Sequence, residues 1–439
     1  MRGRRIVALA TVVAAGLGAL ATAAGAQAEG GDPASDVGIT AKEIRIAVVA
    51  DVDNQFRPGL FASSPAAVQG FAKYVNKSGG IAGRKLVVDF IDSHLSPDES
   101  RSAIQQACED DFALVGTAAL FLSNVDDMVG CVDKTGAATG IPDLPIVTTE
   151  VAQQCSPVSY PINPAQLLCS TKDDPQQTWR ANSGPIKLYE RTRFKDLHGI
   201  AVFANDIKSA ATAGRVLAGG AQASGVTVED EPVSSLATQA EYTPIVQQAK
   251  ADGANYMQVG GDAGLALKLR REAKLQGIDP TTVVYDCFSN CYDQKLLDEG
   301  GADVEGQYAT LNQLPFSESK QNKALAAYLK YTPADKVDGF GAYAWISGLL
   351  FRDAVNAVVD QAGTDGITRK AVLDTLAGIH DFDADGMWAT TDIGNHVPPT
   401  CFISTQVKGG KFVRVYPKKV GTFDCKKGNG IEFQANLLG

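Results

Sequence analysis

Histidine is scarce in this chain of 439 residues: His94, His198, His380 and His396 stand far apart, and the eight cysteines form no paired clusters. A zinc site built from closely spaced thiols and imidazoles is therefore not expected. There is no His-Glu-x-x-His and no Gly-x-Ser-x-Gly, and no cysteine stands beside a histidine, so nothing has the pattern of a nucleophilic hydrolase. After the first thirty residues no stretch reaches the roughly 18 uncharged apolar residues that a membrane-spanning helix needs. Positive charge is also short, with 40 Lys and Arg against 50 Asp and Glu. A chain this acidic repels phosphate backbones, which makes nucleic acid an unsuitable partner. Low-complexity tracts and short repeats are missing as well.

What is present begins with a leader. Arg2, Arg4 and Arg5 give a cationic start, Ile6 to Ala24 is apolar and small, and Ala26-Gln27-Ala28 is an A-x-A cleavage signal, so residues 1–28 read as a signal peptide. An uncleaved membrane anchor is the alternative, and Arg4-Arg5 is a twin-arginine hint that leaves the export route open. Without the three arginines, 37 basic residues face 50 acidic ones and the formal charge moves from -10 to -13. The mature chain is expected to be soluble and exported. Its cysteines suit an oxidising compartment. Sequence does not fix their connectivity; proximity suggests Cys108 with Cys131, Cys155 with Cys169, Cys287 with Cys291, and Cys401 with Cys425. Each closure is worth about 2–4 kcal/mol, the shortest loop least.

The stretch from Ile44 to Gly116 organises the rest. Ile44 to Ala50 is the continuous apolar run of a strand covered on both faces. Ser64 is then expected to cap, and Pro65 to occupy the first turn of, a helix whose apolar side is Val68, Phe71, Ala72 and Val75, and Ser78-Gly79-Gly80 ends it. Leu86 to Ile91 is a second strand, Ser96-Pro97-Asp98-Glu99 a capping box, and Phe112 to Gly116 a third strand. Ile146 to Thr149 reads as a fourth. Strands and helices of this length close into a right-handed parallel βαβαβ unit, with ligands at the carboxyl ends of the strands.

Cys155 to Pro175 is irregular and reads as a connection. The alternation then repeats: strands Ile200 to Ala204, Val226 to Glu229, Tyr256 to Gly260 and Val283 to Tyr285, with helices near Ser209 to Ala221, Tyr242 to Ala251 and Leu265 to Leu275. Val304 to Thr310 reads as a returning strand and Phe340 to Val359 as a long helix; a second helix is capped by Thr368, and a hairpin turns at Gly409-Gly410. A repeated α/β pattern around an irregular link implies two similar lobes, and clefts between lobes are where small molecules bind.

The order Val48-Val49-x-Asp51, Gly70-Phe71-Ala72, Asn76, Gly79-Gly80-Ile81, Gly83-Arg84, Asp92-Ser93 and Pro97 resembles the amino-terminal lobe of solute-binding proteins of the leucine/isoleucine/valine-binding family, which serve ATP-driven importers. The resemblance implies an α/β fold of two Rossmann-like lobes with parallel central sheets joined by three crossover segments, the type I periplasmic binding protein. It places the crossings near 160–178, 307–313 and 383–398, an N-terminal lobe in 40–160 plus 312–385, and a C-terminal lobe in 178–307 plus 398–439. It supports a bridge between Cys108 and Cys131. It implies no catalysis and no cofactor, with a small-molecule ligand and a membrane permease as partners and a monomer as the working form. The family's lipidated cysteine has no counterpart, because Glu29 follows Ala28; a periplasmic or cell-envelope location without a lipid tether is the expectation.

Site residues follow from strand ends. In the first lobe these are Phe56, Phe61 and Ser63 after the first strand, Phe121 after the third, and Thr148 and Thr149 after the fourth; in the second they are Asp206, Asp262 and Asp286. Two of these positions have other readings: Phe121 as a buried helix start and Asp262 as a carboxylate serving the next helix's amino terminus. Val259 to Gly264 lacks the G-x-G-x-x-G spacing of a dinucleotide turn. Asp381, Asp383, Asp385, Gly386 and Asp392 have the spacing of a calcium loop, although Asp392 replaces the usual glutamate and Gly394 to Pro399 cannot continue as a helix; an acidic turn is the alternative. The expected function is capture of an amino acid or related small solute by hinge closure for delivery to an importer. A sensor subunit of a signalling receptor and, more distantly, an exported α/β hydrolase are the alternatives.

Overall fold

The computed structural model describes residues 36–55, 58–148, 150–206 and 208–437. The leader 1–28 and two candidate residues, Phe56 and Thr149, lie outside them. β1 (Glu43–Ala50) is the axis of the first sheet, and its run from Ile46 to Ala50 is buried throughout, as a strand covered on both faces must be. It pairs in parallel with β2 (Lys85–Asp92) on one side and with β3 (Ala113–Val115) on the other, and β4 (Asp143–Leu144) continues beyond β3. The helix Ser63–Lys77 packs Phe71 against Trp345 of the long helix Gly339–Ala362, edge to face at 5.3 Å.

Two local expectations are corrected. Ser64 does not cap its helix; its hydroxyl is drawn into the core and donates to the Gly116 carbonyl at 2.6 Å. The fourth strand lies three residues earlier than Ile146 to Thr149. Leu114 N–H reaches Pro142 O, Gly116 N–H reaches Leu144 O and Ile146 N–H reaches Thr117 O at 2.9 Å, so the pairing with β3 starts before Pro145 and its hydrogen bonds run on to Ile146. Val147 and Thr148 follow as a loop at the strand end.

β5 (Gln177–Asn182) leads into the second lobe. There β6 (His198–Ala204), β7 (Thr227–Val233), β8 (Tyr256–Gly260) and β9 (Val284–Cys287) form another parallel sheet in the order β7-β6-β8-β9. The first sheet has the same order, β2-β1-β3-β4, so the repeated pattern in the sequence is a repeated fold. The helix Lys208–Ala223 lies so close to β6 that a Cβ at Gly214 would stand 2.2 Å from the Phe203 ring.

The two lobes share later strands. β10 (Tyr308–Leu311), β11 (Ile403–Lys408) and β12 (Lys411–Tyr416) form an antiparallel sheet. Tyr308 packs in the second lobe's core while Ala309 and Leu311 pack in the first; Ile403 and Val407 divide likewise. The β11–β12 hairpin turns at Gly409 and Gly410, both at positive φ, where a side chain would be strained. β13 (Gly430–Ala435) pairs antiparallel with β5, a partnership between distant segments that no sequence pattern had indicated. The disulfides are Cys108–Cys131, Cys155–Cys169, Cys287–Cys291 and Cys401–Cys425, the four suggested by proximity. No helix among the described residues is long and apolar enough to cross a membrane.

Candidate binding cleft

The carboxyl ends of the two parallel sheets face one cavity of about 640 Å³. The first lobe contributes Leu60, Phe61, Leu95, Leu120, Val147 and Thr148, all in loops that follow its strands. The second contributes Ala213, Val216 and Leu217 from the helix after β6, Asp262 and Leu265 after β8, and Phe288 after β9. Connecting segments close the sides at 163–167, at Thr310 and Asn312, and at Pro398-Pro399. These fall at or beside the three crossings expected from the resemblance. Ligand sites at the carboxyl ends of parallel strands and between domains are the general rule for such folds.

Of the residues named from sequence, Phe61, Thr148 and Asp262 line this cavity. Phe61 is fixed edge to face on Phe340 at 5.0 Å. Thr148 is buried, and its hydroxyl has no hydrogen-bond partner among the described residues. Asp262 accepts from Leu265 N–H at 3.0 Å, so its carboxylate caps the helix Ala263–Leu275, as the second reading of that residue had it, and the residue also lines the cavity.

Four others stand apart. Ser63 is buried with its Cβ close to Gly341. Phe121 is half-buried, and it is Leu120 that faces the cavity. Asp206 is exposed and held by Ser234 and Ser235 at 2.8 and 2.9 Å. Asp286 is buried beneath the cavity floor, where the hydroxyls of Tyr189 and Tyr256 each donate to it at 2.8 Å.

Burial pushes Asp286 up to about 6 despite those two donors, and it does the same to Asp143, which accepts from Thr117, Gln153 and Ser159. Both folded-state values lie above the ordinary carboxyl value near 4, so the folded protein binds the extra protons between about pH 4 and 6. Stability from these groups is therefore present below pH 4 and lost as pH rises through 6. Asp286→Asn, which needs no charge, is expected to raise stability at pH 7.5 by on the order of 2–3 kcal/mol and to leave it unchanged at pH 4. Urea unfolding at the two pH values measures the difference.

The floor of the cavity is a short disulfide loop. Phe288, Ser289 and Asn290, enclosed between Cys287 and Cys291, all line it. Ser289 is hydrogen-bonded to the Tyr343 hydroxyl of the long helix, which joins the lobes at the base, and Asn290 donates to the Gly261 carbonyl. Sequence reasoning missed this loop and the apolar face of the helix after β6. The spacing of Ala213, Val216 and Leu217 marks one side of a helix, but gives no sign that this side faces a cleft rather than a core.

Three of the four calcium-loop carboxylates have partners within the protein. Asp385 pairs with Arg352 at 3.1 Å and Asp392 with His380 at 2.7 Å, while Asp383 accepts from Gly386 N–H. Among the described residues no group of three or more His, Cys, Asp or Glu side chains could hold a metal ion.

Solved structures share this architecture. A fatty acid ABC transporter substrate-binding protein from Thermomonospora curvata superposes with a TM-score of 0.64 at 16% identity, over 88% of this chain and 97% of that one. A leucine binding protein, LivK, from Thermotoga maritima gives 0.63 at 14%, over 84% and 97%. The branched-chain amino acid transporter substrate binding protein LivJ from Streptococcus pneumoniae, in complex with isoleucine, gives 0.63 at 16%, over 85% and 100%. At such identities these likenesses establish the fold. No curated protein matches the sequence. The periplasmic binding protein family model matches residues 43–411, which take in both parallel sheets, the three connecting segments and the cavity between them, and the chain therefore belongs to the periplasmic binding protein family.

Proposed function

We propose that this protein is an exported solute-binding protein, not an enzyme, that captures an amino acid or related small organic solute and delivers it to the permease of an ATP-driven importer. The observation that carries this reading is that both lobes supply walls to one cavity. A ligand in it gains its full set of contacts only when both walls are against it, so binding favours the closed arrangement by its differential affinity for that state. The lobes are 40–160 with 312–385 and 178–307 with 398–439, and the strands shared between them act as the hinge. The closed outer surface is what the permease reads. Residues 1–28 are removed on export, and the mature protein works as a monomer in the periplasm or cell envelope without a lipid tether.

Ligand-dependent closure is the test. Small-angle scattering of the mature chain is expected to show a smaller radius of gyration when its ligand is added. At a hundredfold excess over Kd the ligand is expected to stabilise the fold by about 2.7 kcal/mol. Scattering that stays the same under saturating ligand removes hinge closure, and conversion of the ligand to a product removes the binding-protein reading.

A further inference from the structure

A strip of unpaired polar groups runs along one side of the cavity. Leu167 bridges Trp179, and Arg180 N–H donates to the Gln166 carbonyl at 2.6 Å, so Gln166 and Arg180 stand opposite each other in a short antiparallel pairing. Side chains at opposed positions leave the same face about 5 Å apart. Both residues line the cavity, and each holds one buried atom without a partner among the described residues: Gln166 Oε1, an acceptor, and Arg180 Nε, a donor. The far end of the Arg180 guanidinium is held by Glu432 at 3.1 Å. A Cβ at Gly220 would stand 3.5 Å from Gln166 Oε1, which puts this pair beside the second-lobe helix Lys208–Ala223.

A carboxylate continues the strip. Gln154 donates to the carbonyls of Ala165 and Leu167, on either side of Gln166, at 3.0 and 2.8 Å, and its own N–H reaches Glu150 O at 3.0 Å. Glu150 is thus one helical turn, about 5.4 Å, from the residue that brackets Gln166. Its carboxylate lines the cavity with no hydrogen bond or ion pair among the described residues. Burial holds it above the usual carboxyl range against the pull of Lys208. Along the wall the order is therefore anion, acceptor, cationic donor. Each stays costly to bury until a ligand group of opposite character meets it.

We infer that the solute is a dipeptide with apolar side chains, its ammonium at Glu150, its amide N–H donating to Gln166 Oε1 and its carboxylate accepting from Arg180 Nε. A dipeptide carries those three groups in that order, and along one edge of an extended residue the N–H and the following carbonyl oxygen lie side by side, as the Gln166 and Arg180 side chains do. A single amino acid has no amide N–H for Gln166. The cavity of about 640 Å³ is in the range that encloses drug-sized ligands, and its aliphatic walls, Leu60 and Leu120 against Val216 and Leu265, suit two apolar side chains. This rests on the solute-binding reading above and narrows its ligand class.

Calorimetric titration of the mature chain with leucyl-leucine tests it. Leucyl-leucine is expected to bind at least about tenfold more tightly than leucine, and its ester analogue, with oxygen in place of the amide N–H, about tenfold more weakly than the dipeptide, because the Gln166 acceptor is left unpaired. Removing the ammonium, as in 4-methylpentanoyl-leucine, is expected to cost about tenfold or more. Two variants locate the contacts: the ester penalty is expected to shrink below about twofold in Gln166→Met, and the ammonium penalty to do so in Glu150→Gln, because each partner is already gone. Should either variant fail to fold, the analogue series on the unsubstituted chain decides alone.

No binding of leucyl-leucine, tighter binding of leucine, or equal binding of amide and ester overturns the dipeptide assignment; equal binding is the result if water joins Gln166 to Arg180. Lobes that close around leucine but not around leucyl-leucine, read by small-angle scattering, sink the dipeptide and leave the solute-binding reading standing. Release of leucine from leucyl-leucine removes both.

Discussion

Glu318→Ala is expected to lower the stability of the mature protein by about 3–5 kcal/mol, because it leaves a buried guanidinium without its counter-charge. Arg414 on β12 reaches both carboxylate oxygens of Glu318, at 2.5 and 2.7 Å, with the two side chains only 7% and 6% exposed. Gly421 N–H adds a third bond to Glu318 at 2.8 Å, and Arg414 also donates to the Thr422 carbonyl. The pair ties the hairpin shared by the lobes to the turn at Phe316, where Tyr292 stacks between Phe316 and Phe412 at 4.9 and 4.6 Å. Urea denaturation should show the loss in the midpoint with the slope unchanged. Glu318→Leu combined with Arg414→Met is expected to recover most of it, since desolvating an ion pair offsets much of what the pair contributes. A double variant as unstable as the single one would show that the pair's geometry, not its uncompensated charge, is what matters.

The second large effect is expected at Arg369, which is completely buried. Its guanidinium donates to the backbone carbonyls of Cys108, Asp111, Phe112 and Val132, and its own N–H donates to Asp36 at 2.7 Å. One side chain thereby satisfies the carboxyl end of the helix Pro97–Asp110, the entry to β3 and the loop after Cys131, on both sides of the Cys108–Cys131 bridge. Arg369→Leu strands those carbonyls at about 1–3 kcal/mol for each one that water cannot reach, so a loss of about 4 kcal/mol or more is expected. Arg369→Lys is expected to recover less than half, because a single ammonium cannot span four acceptors held by a planar fork. Thermal unfolding with the disulfides intact measures both. Full rescue by lysine would mean that charge, rather than the shape of the donor set, is what the site requires.

Neither residue was distinguishable in the sequence, where Arg369 follows a helix cap and Glu318 lies in a polar turn. Their partners are 96 to 333 residues away, and long-range hydrogen bonding has no local signature. The element pattern was legible because it is local. The apolar run of β1, the serine-proline start of the helix Pro97–Asp110 and the paired glycines of the hairpin each impose their conformation within a few residues. The helix Tyr242–Ala251 and β8 have the limits read from the sequence. β4 was misplaced by three residues because apolar character continues past Leu144, where the two-residue strand ends.

The site followed the same division. Phe61, Thr148 and Asp262 were found because they follow strand ends, and the carboxyl ends of a parallel sheet have to face the cleft. Ser63, Phe121 and Asp206 also follow strands but do not reach the cavity, and Asp286 lies inside β9 with its carboxylate held by Tyr189 and Tyr256. Sequence alone determined two α/β lobes in repeat and an acidic chain, and only suggested the cysteine pairs by proximity, since periodicity and caps act between neighbours. The tertiary structure decided which carboxylates reach the cavity, which side of the helix after β6 is a wall, and that β5 and β13 pair at all. Those outcomes depend on groups brought together from distant parts of the chain, and only the packed arrangement fixes their distance and their access to water.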